Sequence, residues 1–117
     1  MKRCKALGAM RMSKRGRRGD IWLIEINNKR RPVAIVDQET MAVEVDHVVA
    51  SITGQRPRNE FDVEIEHWEE AGLDKPSVVR CSKINTFHHN DLIHKIGSLH
   101  KDDLHKVLKT IQSFFSI

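Results

Sequence analysis

The apolar residues of this chain change period once, and that change restricts the fold more than any other feature. From Gly19 to Ile84 they come in short runs with a period near two, and beyond His100 they recur at the spacing of an α-helix. "FDVEIE" alternates strictly, with Phe61, Val63 and Ile65 on one face and Asp62, Glu64 and Glu66 on the other, as in an antiparallel strand half in solvent. "GDIWLIEIN" sets Ile21 and Leu23 against Trp22, Ile24 and Ile26, so it reads as a strand buried on both faces or as one wall of a small closed barrel. "PVAIVD" reads as a short strand with Pro32 first, where a missing N–H does least harm. "AVEVDHVVASIT" and "SVVRCSKI" are further strands, with Glu39 to Ala42 a turn or irregular link between the second and third. "GQRPRNE" is a polar loop, and "HWEEAG" reads as one helical turn ending at Gly72.

The helical stripe consists of Leu104, Val107, Leu108, Ile111, Phe114 and Phe115, with Asp102 and Asp103 in the first turn, where acids complement the helix dipole. An apolar stripe needs a surface to cover, and the strands supply one. The expected class is α+β, mainly β: a small antiparallel barrel of roughly five strands with a C-terminal amphipathic helix.

At 117 residues the chain is long enough for one domain and too short for two well-stabilised ones. Its charge is unevenly placed. Eight of the 20 cations fall in residues 1–18, where there is no acid, leaving 12 cations against 16 acids in the rest. The basic pI therefore belongs to the tail, and residues 1–16 read as a flexible, solvated basic arm ahead of a domain over 17–117. No apolar run nears the roughly 20 residues that cross a bilayer, and "ALGAM" is short for the core of a secretory signal. Arginine-rich, acid-free starts also occur in organelle transit peptides, and Met10 and Met12 are alternative starts. Cys4 and Cys81 form neither a disulfide framework nor a metal knuckle, so a reducing cytoplasm fits.

Three polar groups stand beside apolar strands: Arg31 before "PVAIV", Thr53 after "VVASI" and Arg80 within "SVVRCSKI". Converging, an arginine fork and a hydroxyl would suit a phosphodiester, because guanidinium N–H groups match phosphate oxygens in pairs. The same pattern also describes surface charges at strand ends and a threonine opening a turn. His100 and His105 are five apart and no cysteine pair accompanies them, so the seven histidines read as solvated side chains, with no metal site expected. His47 reads as a packed or surface side chain. Trp22 and Trp68 could stack bases, although Trp22 reads as core.

Taken together, "RGDIWLIEI", "RRPVAIV", "VVASIT", "GLDKPSVVRCSKINT" and "DLIHKIGSL" resemble, in order and spacing, the MazF/PemK family of toxin endoribonucleases. The resemblance spans about residues 16 to 115. It implies an SH3-like barrel, a homodimer whose groove receives single-stranded mRNA, sequence-selective cleavage without a metal or other cofactor, and inhibition by a cognate antitoxin. It assigns Arg31 and Thr53 as the catalytic pair and matches Arg80 to an arginine that some PemK-like members use at the site; beside these, Lys29 and Arg30 are expected as substitute phosphate contacts, and Ser82, two residues after Arg80, as a further RNA contact. An arginine in that role works best held rigidly in a partly desolvated site. This sequence departs from the family in three places. The link before Arg31 is only "NNKR", without the family's loop glutamate; Ser82 stands where an acid is usual; and Asn85 replaces an arginine. The general base is thus unassigned, and two other outcomes stay open: a dimer that binds RNA or antitoxin without cutting, and a gyrase-directed toxin on the same scaffold.

Overall fold

The computed structural model describes residues 15–38 and 46–117. Six strands, β1 (Asp20–Ile26), β2 (Lys29–Ile35), β3 (Asp46–Thr53), β4 (Asp62–Glu64), β5 (Val78–His88) and β6 (His94–Ser98), form one antiparallel sheet in the order β4-β5-β3-β2-β1-β6. A single long helix, α1 (Lys101–Phe114), follows. Its start is capped by His100, whose ring nitrogen accepts the Asp102 N–H at 3.1 Å.

β1 and β2 are joined by the shortest practical turn. Asn27 and Asn28 both have positive φ, 52° and 65°, which asparagine tolerates and a two-residue hairpin of matching twist requires. The short "NNKR" link is therefore two turn residues, and Lys29 and Arg30 already belong to β2. This moves Pro32 from the expected first position to the middle of a strand. The placement is tolerated because of register. With Ile26↔Lys29 closing the hairpin, alternation makes Leu23↔Pro32 a pair without mutual hydrogen bonds, so the absent N–H faces β3. The β2–β3 ladder accordingly ends at Val33↔Ser51, one residue short of the proline.

The sheet has an apolar layer on each face. Ile21, Ala34, Ala50, Ile52, Val79 and Cys81 pack with Leu99 and Val107, under α1. Trp22, Ile24, Val33, Ile35, Val49 and Leu92 form the second layer. At about 25 cal/mol per Å² of apolar surface removed from water, burial of this kind supplies the main drive to fold. Asp103 ties the helix to the sheet: wholly buried, it accepts the backbone N–H groups of Glu66 and His67 at 3.1 and 2.9 Å.

β4 and β6, the two ends of the sheet, share no ladder, so the expected barrel is not closed by hydrogen bonds. Backbone packing brings the ends together. A Cβ on Gly97 would lie 2.0 Å from the Ala71 carbonyl oxygen, and one on Gly72, at φ +91°, 2.6 Å from that of Ile96. The segment after β4 thus rests directly on β6.

Several boundaries differ from the sequence expectation. "HWEEAG" is a run of turns, not a helical turn, and β4 keeps only three residues of "FDVEIE". β5 runs on to His88, and β6 is a sixth strand. One step on β3, from Ser51 to Ala50, spans Arg80 to Ile84 on β5, so Cys81, Ser82 and Lys83 bulge from the register. His47 is packed, its Nδ1 2.9 Å from Asp37 Oδ1. The basic arm up to residue 14 and the link over 39–45 lie outside the described residues. Arg15 lies over the Trp22 ring, 5.5 Å from its centroid, and donates to the Leu92 carbonyl at 2.7 Å.

Candidate active site

Where the β2–β3 ladder stops, a cleft of about 670 Å³ opens. Leu23, Pro32 and Ile52 contribute its apolar lining, and Arg31 and Thr53 both border it. Register explains the meeting. The pairs Ile35↔Val49 and Val33↔Ser51 hold β2 and β3 side by side up to the point where the ladder stops, and Arg31 and Thr53 stand two residues beyond its last pair, at the mouth of the cleft. Pro32 withholds the next hydrogen bond, so the strands are free to part there.

The Thr53 hydroxyl is oriented by its own turn. Its Oγ1 accepts the Gln55 N–H at 3.2 Å, which leaves the hydroxyl hydrogen to point elsewhere. Arg31 is exposed in the single chain, and so departs from the expectation of a partly desolvated arginine: it stands past the last β2–β3 pair, where no strand covers it. Arg30, paired with Glu25 on β1, also borders the cleft, as do Lys75, Asp74 and His94. The Lys75 chain lies over Gly54, where an added Cβ would come within 2.4 Å of its Cε. Of the titratable groups bordering the cleft one is a carboxylate and three are fixed cations, an arrangement suited to phosphate and poor in ligands for a hard metal ion.

The other residues expected at the site stand away from it. Lys29 is exposed next to the hairpin turn and does not line the cleft. Arg80 is buried: its Nη2 donates to Gln55 Oε1 at 2.9 Å and its Nη1 lies 3.6 Å from Asp62 Oδ2. It thus sits behind the cleft wall and reaches the cleft only through Gln55. Ser82 belongs to the β5 bulge, apart from the cleft. The sequence reading missed His94, Lys75 and Gln55. His94 lies opposite Leu23, and only a prediction of β6 with its register would have brought this histidine to the cleft.

His67, His100 and Asp102 place ligand-type atoms within 4.8 Å of one another at the start of α1. The two rings stack face to face, 3.9 Å apart and 22° from parallel, so their in-plane lone pairs run side by side and do not converge on an ion. Each Nδ1 is also engaged, His67 with Glu70 and His100 with the Asp102 N–H. We read this group as a helix cap.

The chain belongs to the toxins of type II toxin-antitoxin systems. More narrowly, the chain belongs to the PemK-like, MazF-like toxin family of these systems, whose family model matches residues 17–115. The Mycobacterium tuberculosis toxin MazF-mt6 is similar at 28% identity and a TM-score of 0.71, over 82% of this chain and 95% of that one. A crystal structure of an M. tuberculosis toxin matches at 29% identity and a TM-score of 0.65, over 80% of this chain and 99% of that one. A mycobacterial endoribonuclease solved with its cognate antitoxin shares the fold at 17% identity and a TM-score of 0.71, over 87% and 99% of the two chains. No curated protein matches the chain significantly. No described helix is long and apolar enough to cross a membrane.

Proposed function

We propose that this protein is the toxin of a toxin-antitoxin pair and acts as a metal-independent, sequence-selective endoribonuclease on single-stranded mRNA, working as a homodimer that a cognate antitoxin silences. The observation that carries this reading is that Arg31 and Thr53 both border one cation-lined cleft at the end of the β2–β3 ladder. In the reaction the ribose 2′-OH attacks the adjacent phosphorus and gives up its proton, and the bond to the 5′ oxygen breaks. The products are a 2′,3′-cyclic phosphate and a 5′-hydroxyl end, whose proton comes from solvent. The Arg31 guanidinium neutralises charge building on the non-bridging oxygens, and the Thr53 hydroxyl donates to one of them. A dimer partner closing over the cleft would supply the desolvation that Arg31 lacks alone. Arg30 and Lys75 hold the neighbouring backbone phosphates. His94, which borders the same cleft, takes the proton that the 2′-OH gives up, the role left by the family's loop glutamate.

The test is cleavage of a long RNA in EDTA by the purified protein, with the ends mapped. Arg31→Ala should cut about 100- to 1000-fold more slowly, the usual cost of losing one donor to a developing oxyanion. Thr53→Val should lose less, and His94→Gln should slow cutting without weakening RNA binding. RNA binding without cutting would establish the non-cleaving dimer instead, and inhibition of supercoiling without effect on RNA would establish a gyrase-directed toxin.

A further inference from the structure

A second concavity of about 350 Å³ adjoins the cleft and shares Gly54, Gln55 and Ser77 with it as a common wall. Its character is opposite to that of its neighbour. The cleft presents Arg30, Arg31 and Lys75, whereas this pocket presents the Trp68 ring, the carboxylates of Glu64 and Glu66, and a single cation, Arg56. We infer that the pocket takes one nucleobase of the RNA strand, the base beside the scissile phosphate, stacked on Trp68 with its exocyclic amino group donating to Glu64. This inference rests on the nuclease reading above and adds a specificity site to it.

Three observations favour a base over other occupants. A phosphate would meet the Glu64 carboxylate, and Glu66 is already bonded to Lys106, which leaves Arg56 as the one lining cation to attract it. An acidic peptide would meet the same repulsion. A base carries no charge, offers a flat face to an indole and, in adenine, cytosine or guanine, an amino group to a carboxylate. The arrangement is also held in place. Asp103 accepts the Glu66 and His67 N–H groups, fixing the backbone just before Trp68, and Trp68 itself packs on the apolar layer under α1. Glu64 ends β4, paired with Val78. Uracil has no amino group and is the base this pocket disfavours.

The experiment has two arms. In the first, Arg31→Ala protein is titrated with short single-stranded oligonucleotides that differ at one position, and tryptophan fluorescence is followed. Quenching should occur, should be strongest with an amino-bearing base, and should vanish in Arg31→Ala/Trp68→Phe, since the remaining Trp22 is buried in the other layer. In the second, cut sites are mapped for wild type and Glu64→Gln. Glu64 is exposed at the pocket edge, so its isosteric replacement leaves the fold intact. Discrimination against uracil at one position next to the cut should fall by about five- to 150-fold, the range of a good base contact. Cutting at an unchanged sequence in Glu64→Gln, with no Trp68-dependent quenching, would overturn the base pocket and leave the nuclease standing. Quenching by an acidic peptide and not by RNA would likewise overturn it. If the wild type cuts no RNA, the nuclease reading fails on its own, and the fluorescence arm alone decides the pocket.

Discussion

Thr53 and Arg80 show how one turn can divide labour between neighbouring side chains. Gln55 gives its N–H to the Thr53 hydroxyl and its side-chain carbonyl to Arg80, so the loop after β3 aims one group at the cleft and fastens another behind it. Arg80 shares its burial with Asp62, and deleting one partner of a buried ion pair costs about 3–5 kcal/mol. Lost cutting in Arg80→Ala would therefore report on folding before it reported on RNA. Cys81, next along β5, is a buried thiol whose pKa is pushed up to about 12, first by burial and then by the charge of Asp62. Because the folded value exceeds the ordinary 9.0, stability from the protonated thiol is fully present below pH 9 and is lost as pH climbs toward 12. Thermal unfolding between pH 9 and 11 should fall more steeply for wild type than for Cys81→Ala, by up to about 1.4 kcal/mol per pH unit. In a Cys4→Ser background, Cys81 should ignore a maleimide at pH 8 until the protein is unfolded.

At the scale of elements, the joint between the ends of the sheet is the most demanding contact. Nothing can stand between Gly97 and the Ala71 carbonyl, and Gly72 and Ile96 in the same joint border the cleft. Gly97→Ala should cost about 1–3 kcal/mol or more, the usual range for overpacking, and any folded fraction should cut poorly because the cleft wall moves. Chemical denaturation and an activity assay on the same sample would check both effects. Most of the elements were legible in the sequence, for reasons visible in particular residues. Strict alternation in "FDVEIE" and the stripe from Leu104 to Phe115 are local signals, and the stripe became α1 within a residue of its expected start. Arg31 and Thr53 could be proposed because each flanks an apolar run. His94 could not, because its place in the cleft depends on pairing with β1, some 70 residues earlier in the chain. Pro32 misled for a related reason. Its tolerance inside β2 depends on which neighbour its missing donor faces, and a proline alone does not reveal that.

The whole molecule separates its charges. The body beyond residue 18 is acidic in sum, while eight cations precede it, and the cleft and the adjoining pocket repeat the contrast on a smaller scale. Removing residues 1–14 takes away five cations and should lower the slope of log affinity for RNA against log salt, by up to about 0.7 for each cation that contacts a phosphate. The cut sequence should stay the same, because the groups proposed to choose it lie in the body; a changed sequence would place base recognition in the arm. Pro32 has a consequence at this scale as well. In a continuous antiparallel fabric every interior stitch is taken, and a strand of RNA would find no opening except at the hems. One imino acid drops a stitch in the interior, and the opening proposed for RNA is there, inside the cloth.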